Sequence, residues 1–274
     1  MKYILILTAV IILPLSCTKT DSLNKSDEIL ADSRFRITEK ELILTLDGLP
    51  EKIKEKIIAE KSEFLQLLSD VLAIMKADEN SIFYPADKKR FLGAGFEPSD
   101  LVPLDNEGFK LNKQGMQIRS ALMSDLKDMI SAAAADGVDL QISSAYRSYD
   151  YQKTLFKYYS DTNGEAEAEK FSARAGSSQH QLGTALDFGS ISIDFQYTEA
   201  GKWIRENSWL YGFSLSYPEN LENTTGYQFE PWHYRYITKQ GTLLEQKYFA
   251  GLQYLLLDYL FLSSSSLTEK LDIK

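Results

Sequence analysis

The chain has 274 residues, 44% of them apolar, enough to bury a sizeable core in one or two domains. Its 30 basic and 39 acidic residues leave a net charge of −9, which argues against nucleic acid as the main partner and against attraction to an anionic lipid surface. Cys17 is the single cysteine, so an intramolecular disulfide is excluded.

The first residues carry export information. Met1-Lys2 precedes an apolar run from Tyr3 to Leu15 and then Ser16-Cys17. A basic start, a short apolar stretch and a small residue before a cut site describe a secretory signal over residues 1–17. The run is shorter than the roughly 20 residues a membrane span needs. Cys17, directly after it, resembles the lipidated cysteine of a bacterial lipoprotein signal, although Pro14 departs from the usual pattern. Membrane attachment is therefore expected only through an N-terminal lipid. Residues 18–45 read mainly as a polar, flexible tether.

After Pro50, Ile53, Ile57, Phe64, Leu68, Val71, Leu72 and Met75 recur at helical steps and predict one long packing helix. It makes residues 46–83 a helical extension ahead of a core domain over 84–240. Pro85, Gly93, Gly95, Pro98 and Pro103 make the stretch from Asp78 to Asp105 mostly irregular. A helix is expected from Lys113 to Asp136, capped by Asn112 and Gly137. Alternation from Val138 to Ser143 predicts a strand. A short helix follows over Tyr149–Ser160 with Ser148 as its N-cap.

Thr184 to Phe188 reads as a strand and Thr198 to Tyr211 as a helix stopped by Gly212. Phe213–Tyr217 and Tyr227–His233 read as extended. The tail, residues 241–274, is apolar on nearly every side from Thr242 to Leu262 and predicts a buried or docking helix. Strands and helices mix without a βαβ rhythm, which favours an α+β fold.

His180 and His233 are the only histidines. His180 lies in Ser178-Gln179-His180-Gln181-Leu182-Gly183-Thr184-Ala185-Leu186-Asp187 and His233 in Glu230-Pro231-Trp232-His233. Catalytic zinc takes three N or O protein ligands and keeps one position open. Two imidazoles and one carboxylate fill such a set and leave the other carboxylate as a base. Spacing alone leaves the alternative open that both are ordinary core or surface histidines. Glu230 and His233, three apart, would point to opposite faces of a regular strand, so a bend at Pro231 or Trp232 is required. Gly183 offers a turn between His180 and Asp187.

Ser-x-His-x-x-Gly-x-Ala-x-Asp followed by Glu-x-Trp-His resembles the VanY-type D-alanyl-D-alanine carboxypeptidases, zinc peptidases with a hedgehog/DD-peptidase-like core in which helices flank a small, mostly antiparallel sheet. Ser144-Ala145-Tyr146-Arg147-Ser148 with Gln152 is similar to the family's Tyr-Arg-Ser element. The resemblance implies one zinc per chain on His180, Asp187 and His233. It implies Glu230 as general base and Arg147 as the group polarising the scissile carbonyl, with Ser178, Gln152 and Ser144 as substrate contacts. It implies an exported enzyme acting on peptidoglycan stem peptides that end in D-Ala-D-Ala. An L,D-carboxypeptidase, an endopeptidase or a non-catalytic lipid-anchored binding protein would carry the same motifs. Outside the resemblance, Arg147 reads as a surface ion-pair residue and Ser178 as a turn cap. Trp203, Trp209 and Trp232 read as core.

Overall fold

The computed structural model describes residues 36–78 and 82–270; the expected export signal, Cys17 and the start of the expected tether lie outside them. The first helices are α1 (Glu39–Thr45), α2 (Glu51–Ala59) and α3 (Lys61–Ala77). The end of the expected tether is folded, which corrects that reading. Thr38 and Glu41 close a capping box at the start of α1, and Ile37, Leu42 and Leu46 are buried. The single helix expected after Pro50 is two, interrupted at Glu60, where φ −114° and ψ 29° leave the helical region. Both halves contact α9 (Thr238–Tyr248), and the apolar stripe continues across the break, so periodicity does not reveal it.

Next come β1 (Leu101–Pro103), β2 (Lys110–Leu111), β3 (Gln117–Arg119) and α4 (Met123–Ala135). The helix expected from Lys113 thus starts only at Met123. Met116 and Ile118 are buried on either side of exposed Gln117, a strand alternation that lets β3 pair antiparallel with β1. Arg119 closes the strand, buried between Asp78 and Asp100, with its Nε donating to Asp100 Oδ1 at 2.8 Å.

The remaining elements are β4 (Gln141–Ser144), α5 (Tyr149–Asn163), α6 (Glu165–Ala168), β5 (Ala185–Phe188), α7 (Glu199–Asn207), β6 (Phe213–Leu215), α8 (Glu222–Thr225), β7 (His233–Tyr236) and α10 (Gln253–Thr268). Ser148 caps α5 as expected, accepting from the Tyr151 amide. The stretch from Tyr227 to Trp232 contains no strand, so the extended reading there holds only from His233. The five-stranded sheet runs β2-β4-β5-β7-β6, antiparallel except for β2 beside β4.

Strand β5 is central and wholly buried, as a strand covered on both faces must be. Leu186 and Phe188 enter the hydrophobic core, and the alternation sends Asp187 to the other face. The tail is two helices, α9 and α10, separated where Ala250 and Gly251 take positive φ. Leu244, Tyr248, Leu256 and Leu260 join Phe64, Leu68 and the sheet residues in one cluster. Among the described residues no helix is long and apolar enough to cross a membrane.

Candidate metal centre

Three local devices bring the motif residues together. Ser178 Oγ accepts from the His180 amide and opens a 3-10 turn over Gln179–Leu182, which ends at Gly183 with φ 69°. The chain then enters β5, where Asp187 lies opposite His233 of β7 in register. Side chains directly opposite on one sheet face are immediate neighbours. The required bend between Glu230 and His233 is a tight turn with Pro231 in its second position, closed by the His233 amide donating to Glu230 O at 3.1 Å. It places Glu230 Oε2 3.5 Å from His233 Nδ1.

One nitrogen or oxygen from each of His180, Asp187 and His233 lies within 4.8 Å of the others, and all three residues are buried. The rings of His180 and His233 stand nearly perpendicular with centroids 4.9 Å apart. His180 Nδ1 donates to Ala145 O at 2.7 Å, because a carbonyl can only accept; this leaves the lone pair on Nε2. Nε2 is 3.3 Å from Asp187 Oδ2, and Asp187 Oδ1 is 3.1 Å from His233 Nδ1. Even so, His180 Nε2 and Asp187 Oδ1 are both buried without a hydrogen-bond partner. Orphaned acceptors that converge on one point are costly unless a cation satisfies them. The donor set fits zinc. His233 Nε2, 3.2 Å from Gln179 Oε1, faces away from that point.

The electrostatics suit a cation as well. Burial, with Arg147 nearby, pushes the His180 imidazole down to about 4, so it is a neutral ligand at physiological pH. Burial works against ionisation of Asp187, yet its carboxyl is held well below the usual range; with His180 neutral, His233 and the Arg147 guanidinium are the neighbours that favour the carboxylate. Glu230 goes the other way: burial, then the charge of Asp187, raises it well above an ordinary glutamate. Two carboxyl groups beside the same histidine are thus shifted in opposite directions by their surroundings.

The three residues form the floor of a cleft of about 260 Å³ whose walls include Arg147, Gln152, Ser178, Tyr217 and Trp232. Arg147 Nη2 donates to Asp187 Oδ2 at 2.6 Å and its Nε to Ser144 Oγ at 3.0 Å. It is a cleft residue, and the surface reading is set aside. Ser178 both caps its turn and lines the cleft. Gln152 donates to Ala173 O at 2.7 Å from the cleft wall. Ser144 stands behind Arg147, holding the guanidinium.

The family model described as VanY: D-alanyl-D-alanine carboxypeptidase matches residues 115–239. YodJ of Bacillus subtilis (strain 168) is 39% identical over 65% of this chain and 67% of its own. The solved LdcB LD-carboxypeptidase is 33% identical, covering 70% of this chain and 89% of that one, with a TM-score of 0.59. The chain belongs to the VanY D-alanyl-D-alanine carboxypeptidase family. A vancomycin-resistance D,D-pentapeptidase VanY solved with Zn(II) is 30% identical over 66% of this chain and 99% of that one, TM-score 0.53. This VanY-family chain spans about half the length of some curated relatives, 52% of the Enterococcus faecium D-alanyl-D-alanine carboxypeptidase, for example. The hedgehog/DD-peptidase-type α+β fold expected from the motifs is the fold observed.

Sequence reading missed several residues of this VanY-family site. Tyr217, buried, holds its ring 4.9 Å from that of His233, and nothing in its sequence surroundings marks it. Gln179 sits inside the histidine motif at an unspecified position, so its contact with His233 had a signal only in being next to His180. Of the tryptophans, Trp203 is core, its Nε1 donating to Asp136 Oδ2 at 2.7 Å; Trp232 packs in the core and also lines the cleft.

Proposed function

We propose that this chain is a zinc-dependent carboxypeptidase that removes the terminal D-alanine from peptidoglycan stem peptides ending in D-Ala-D-Ala. The observation that carries the reading is Glu230: a buried carboxylate beside a complete three-ligand cluster and not part of it. Metal binding alone has no use for such a group, whereas hydrolysis needs a base in that position. A bound zinc ion supplies Lewis acidity, worth several kcal/mol of charge stabilisation. His180, Asp187 and His233 would hold it, each having a nitrogen or oxygen within 4.8 Å of the others.

Glu230 Oε2 takes a proton from the attacking water and returns it to the nitrogen of the departing D-alanine. Its raised pKa makes the carboxylate a stronger base for the first transfer, and the Arg147 charge, which lowers it, favours the ionised form that transfer needs. Arg147 stays charged throughout and presents donors to the carbonyl oxygen as it becomes anionic. Gln152 and Ser178 line the cleft as substrate contacts.

A second reading, an L,D-carboxypeptidase acting on tetrapeptides, draws support from the likeness to LdcB. Zinc-loaded protein lacking residues 1–17 is expected to release D-alanine from a muramyl pentapeptide faster than from the tetrapeptide. Chelator abolishes release and added zinc restores it. A tetrapeptide preference would replace the D,D reading with the L,D one, and no release from either would sink both.

The site of action is outside the cytoplasm, with Cys17 as lipid anchor. Substituting Cys17→Ser is expected to move the protein from the detergent phase to the aqueous phase on partitioning; unchanged partitioning removes the anchor.

A further inference from the structure

His233 must offer Nδ1 to the metal, so its proton must reside on Nε2. That nitrogen faces Gln179 Oε1 at 3.2 Å. An amide side chain has one accepting and one donating end of nearly equal shape, so Gln179 serves His233 only if its oxygen points that way. Rotated by half a turn, it would present N–H groups and favour the wrong histidine tautomer. Something has to set its direction.

The contacts that do so come from the tail. Gln253 Nε2 donates to Ser214 O at 3.1 Å. A backbone carbonyl accepts and never donates, which fixes Gln253 with its oxygen facing the other way. That oxygen accepts from Gln179 Nε2 at 3.4 Å and lies 3.2 Å from Ser216 Oγ. Ser216 Oγ donates to Gln179 Oε1 at 2.7 Å. Gln179, Ser216 and Gln253 are all buried, where an amide turned the wrong way would meet like against like. Polarity thus passes in one direction, from the Ser214 carbonyl through Gln253 and Gln179 to the imidazole.

We infer that Gln253, on α10 and beyond the family-matched residues 115–239, is a positioning residue for the metal centre, setting the Gln179 amide and through it the tautomer of His233. The inference rests on the reading of His233 as a ligand. It also ties the tail to the chemistry, because α10 contributes to the core and, by its first residue, to the order of the site. Partners of this kind behind a metal-bound histidine change metal affinity by about 10–100-fold.

The experiment measures zinc affinity of the full chain, purified in detergent, by competition with a chromophoric chelator. Gln253→Met and Gln253→Leu keep the bulk and remove the polarity, and melting in excess chelator identifies which of them folds like the parent. Either variant is expected to bind zinc about 10–100-fold more weakly. A carboxylate presents an oxygen to His233 in either orientation, so Gln179→Glu removes the need for the relay, while its other oxygen then opposes Gln253 Oε1. Gln179→Glu/Gln253→Met is therefore expected to bind at least as tightly as Gln179→Glu alone, a non-additivity that lost packing does not produce. Parental affinity in the folded Gln253 variants overturns the relay and leaves the ligand assignment standing, as does an undiminished effect of Gln253→Met in the Gln179→Glu background. A parent chain that binds no zinc overturns both.

Discussion

Glu230 and Arg147 share one cleft but answer to different tests. Glu230→Gln keeps the shape and removes the proposed base, while His180, Asp187 and His233 are untouched. Zinc content is expected to stay at one per chain and kcat to fall about 10²–10⁴-fold. Full turnover in that variant would remove Glu230 from the mechanism. Arg147 differs because it binds Asp187 as well as lining the cleft. In Arg147→Lys the charge remains, but a single ammonium cannot reproduce contacts made by separate guanidinium nitrogens. A loss of about 10²–10³-fold in kcat is expected, the range for one missing oxyanion donor. Because Arg147 holds Asp187 Oδ2, zinc affinity should weaken too, unlike in the Glu230 variant. Equal zinc affinity in Arg147→Lys and parent would show that the contact to Asp187 does no work. His180, Asp187, His233 and Glu230 stand out in the sequence through the motif resemblance, since spacing alone leaves two ordinary histidines as an alternative, and the structure brings the first three together with Glu230 beside them. Tyr217, Ser216 and Gln253 do not, since tyrosine, serine and glutamine are common and their role here depends on contacts far apart in the chain.

Among the elements, those with a sharp local signal were legible and those decided by tertiary contact were not. Ser148 before α5 and Gly212 after the turn at 208–211 behave as read, the glycine with φ 85°. The late start of α4 was hidden because β3 owes its existence to pairing with β1, a contact absent from local sequence. The break at Glu60 has no local marker, since the apolar stripe continues across it, whereas α1 does carry one in the Thr38–Glu41 capping box. Gly183 shows the opposite case, where one residue type is dictated by backbone geometry. Its φ of 69° lies in the left-handed region that favours glycine, and a Cβ there would stand 3.0 Å from Arg119 Cγ and from Leu101 Cδ2. Gly183→Ala is therefore expected to lower stability by about 1–2 kcal/mol. The turn it ends carries His180, so zinc affinity should fall as well. Urea unfolding with and without chelator separates the two effects, and parental stability in chelator would show that the left-handed turn is not required.

At the scale of the whole molecule, the extension, sheet and tail share one apolar cluster, so a buried charge in the tail bears on global stability. Glu245 of α9 is such a group. Its Oε1 accepts from Ser214 Oγ at 2.8 Å, its Oε2 has no partner, and burial raises its pKa from 4.5 to about 8. Below pH 4.5 the acid is neutral in both folded and unfolded chains, and its contribution to stability is fully present. As pH climbs from 4.5 to about 8, the unfolded chain releases the proton while the folded one retains it, so stability drains away across that window. Above it, both forms are ionised and the loss stops growing. Glu245→Gln keeps the acceptor for Ser214 and removes the titration. Parent and variant are expected to unfold at similar urea concentrations near pH 4, and the variant to be more stable by a few kcal/mol near pH 8, since a tenfold difference in proton affinity between folded and unfolded chains is worth about 1.4 kcal/mol. The difference between the two proteins cancels the titrations they share, including those of the metal site. A difference that stays flat from about pH 4 to about pH 8 would mean that Glu245 ionises in the fold as freely as in water, and that the interface between α9 and the sheet admits solvent.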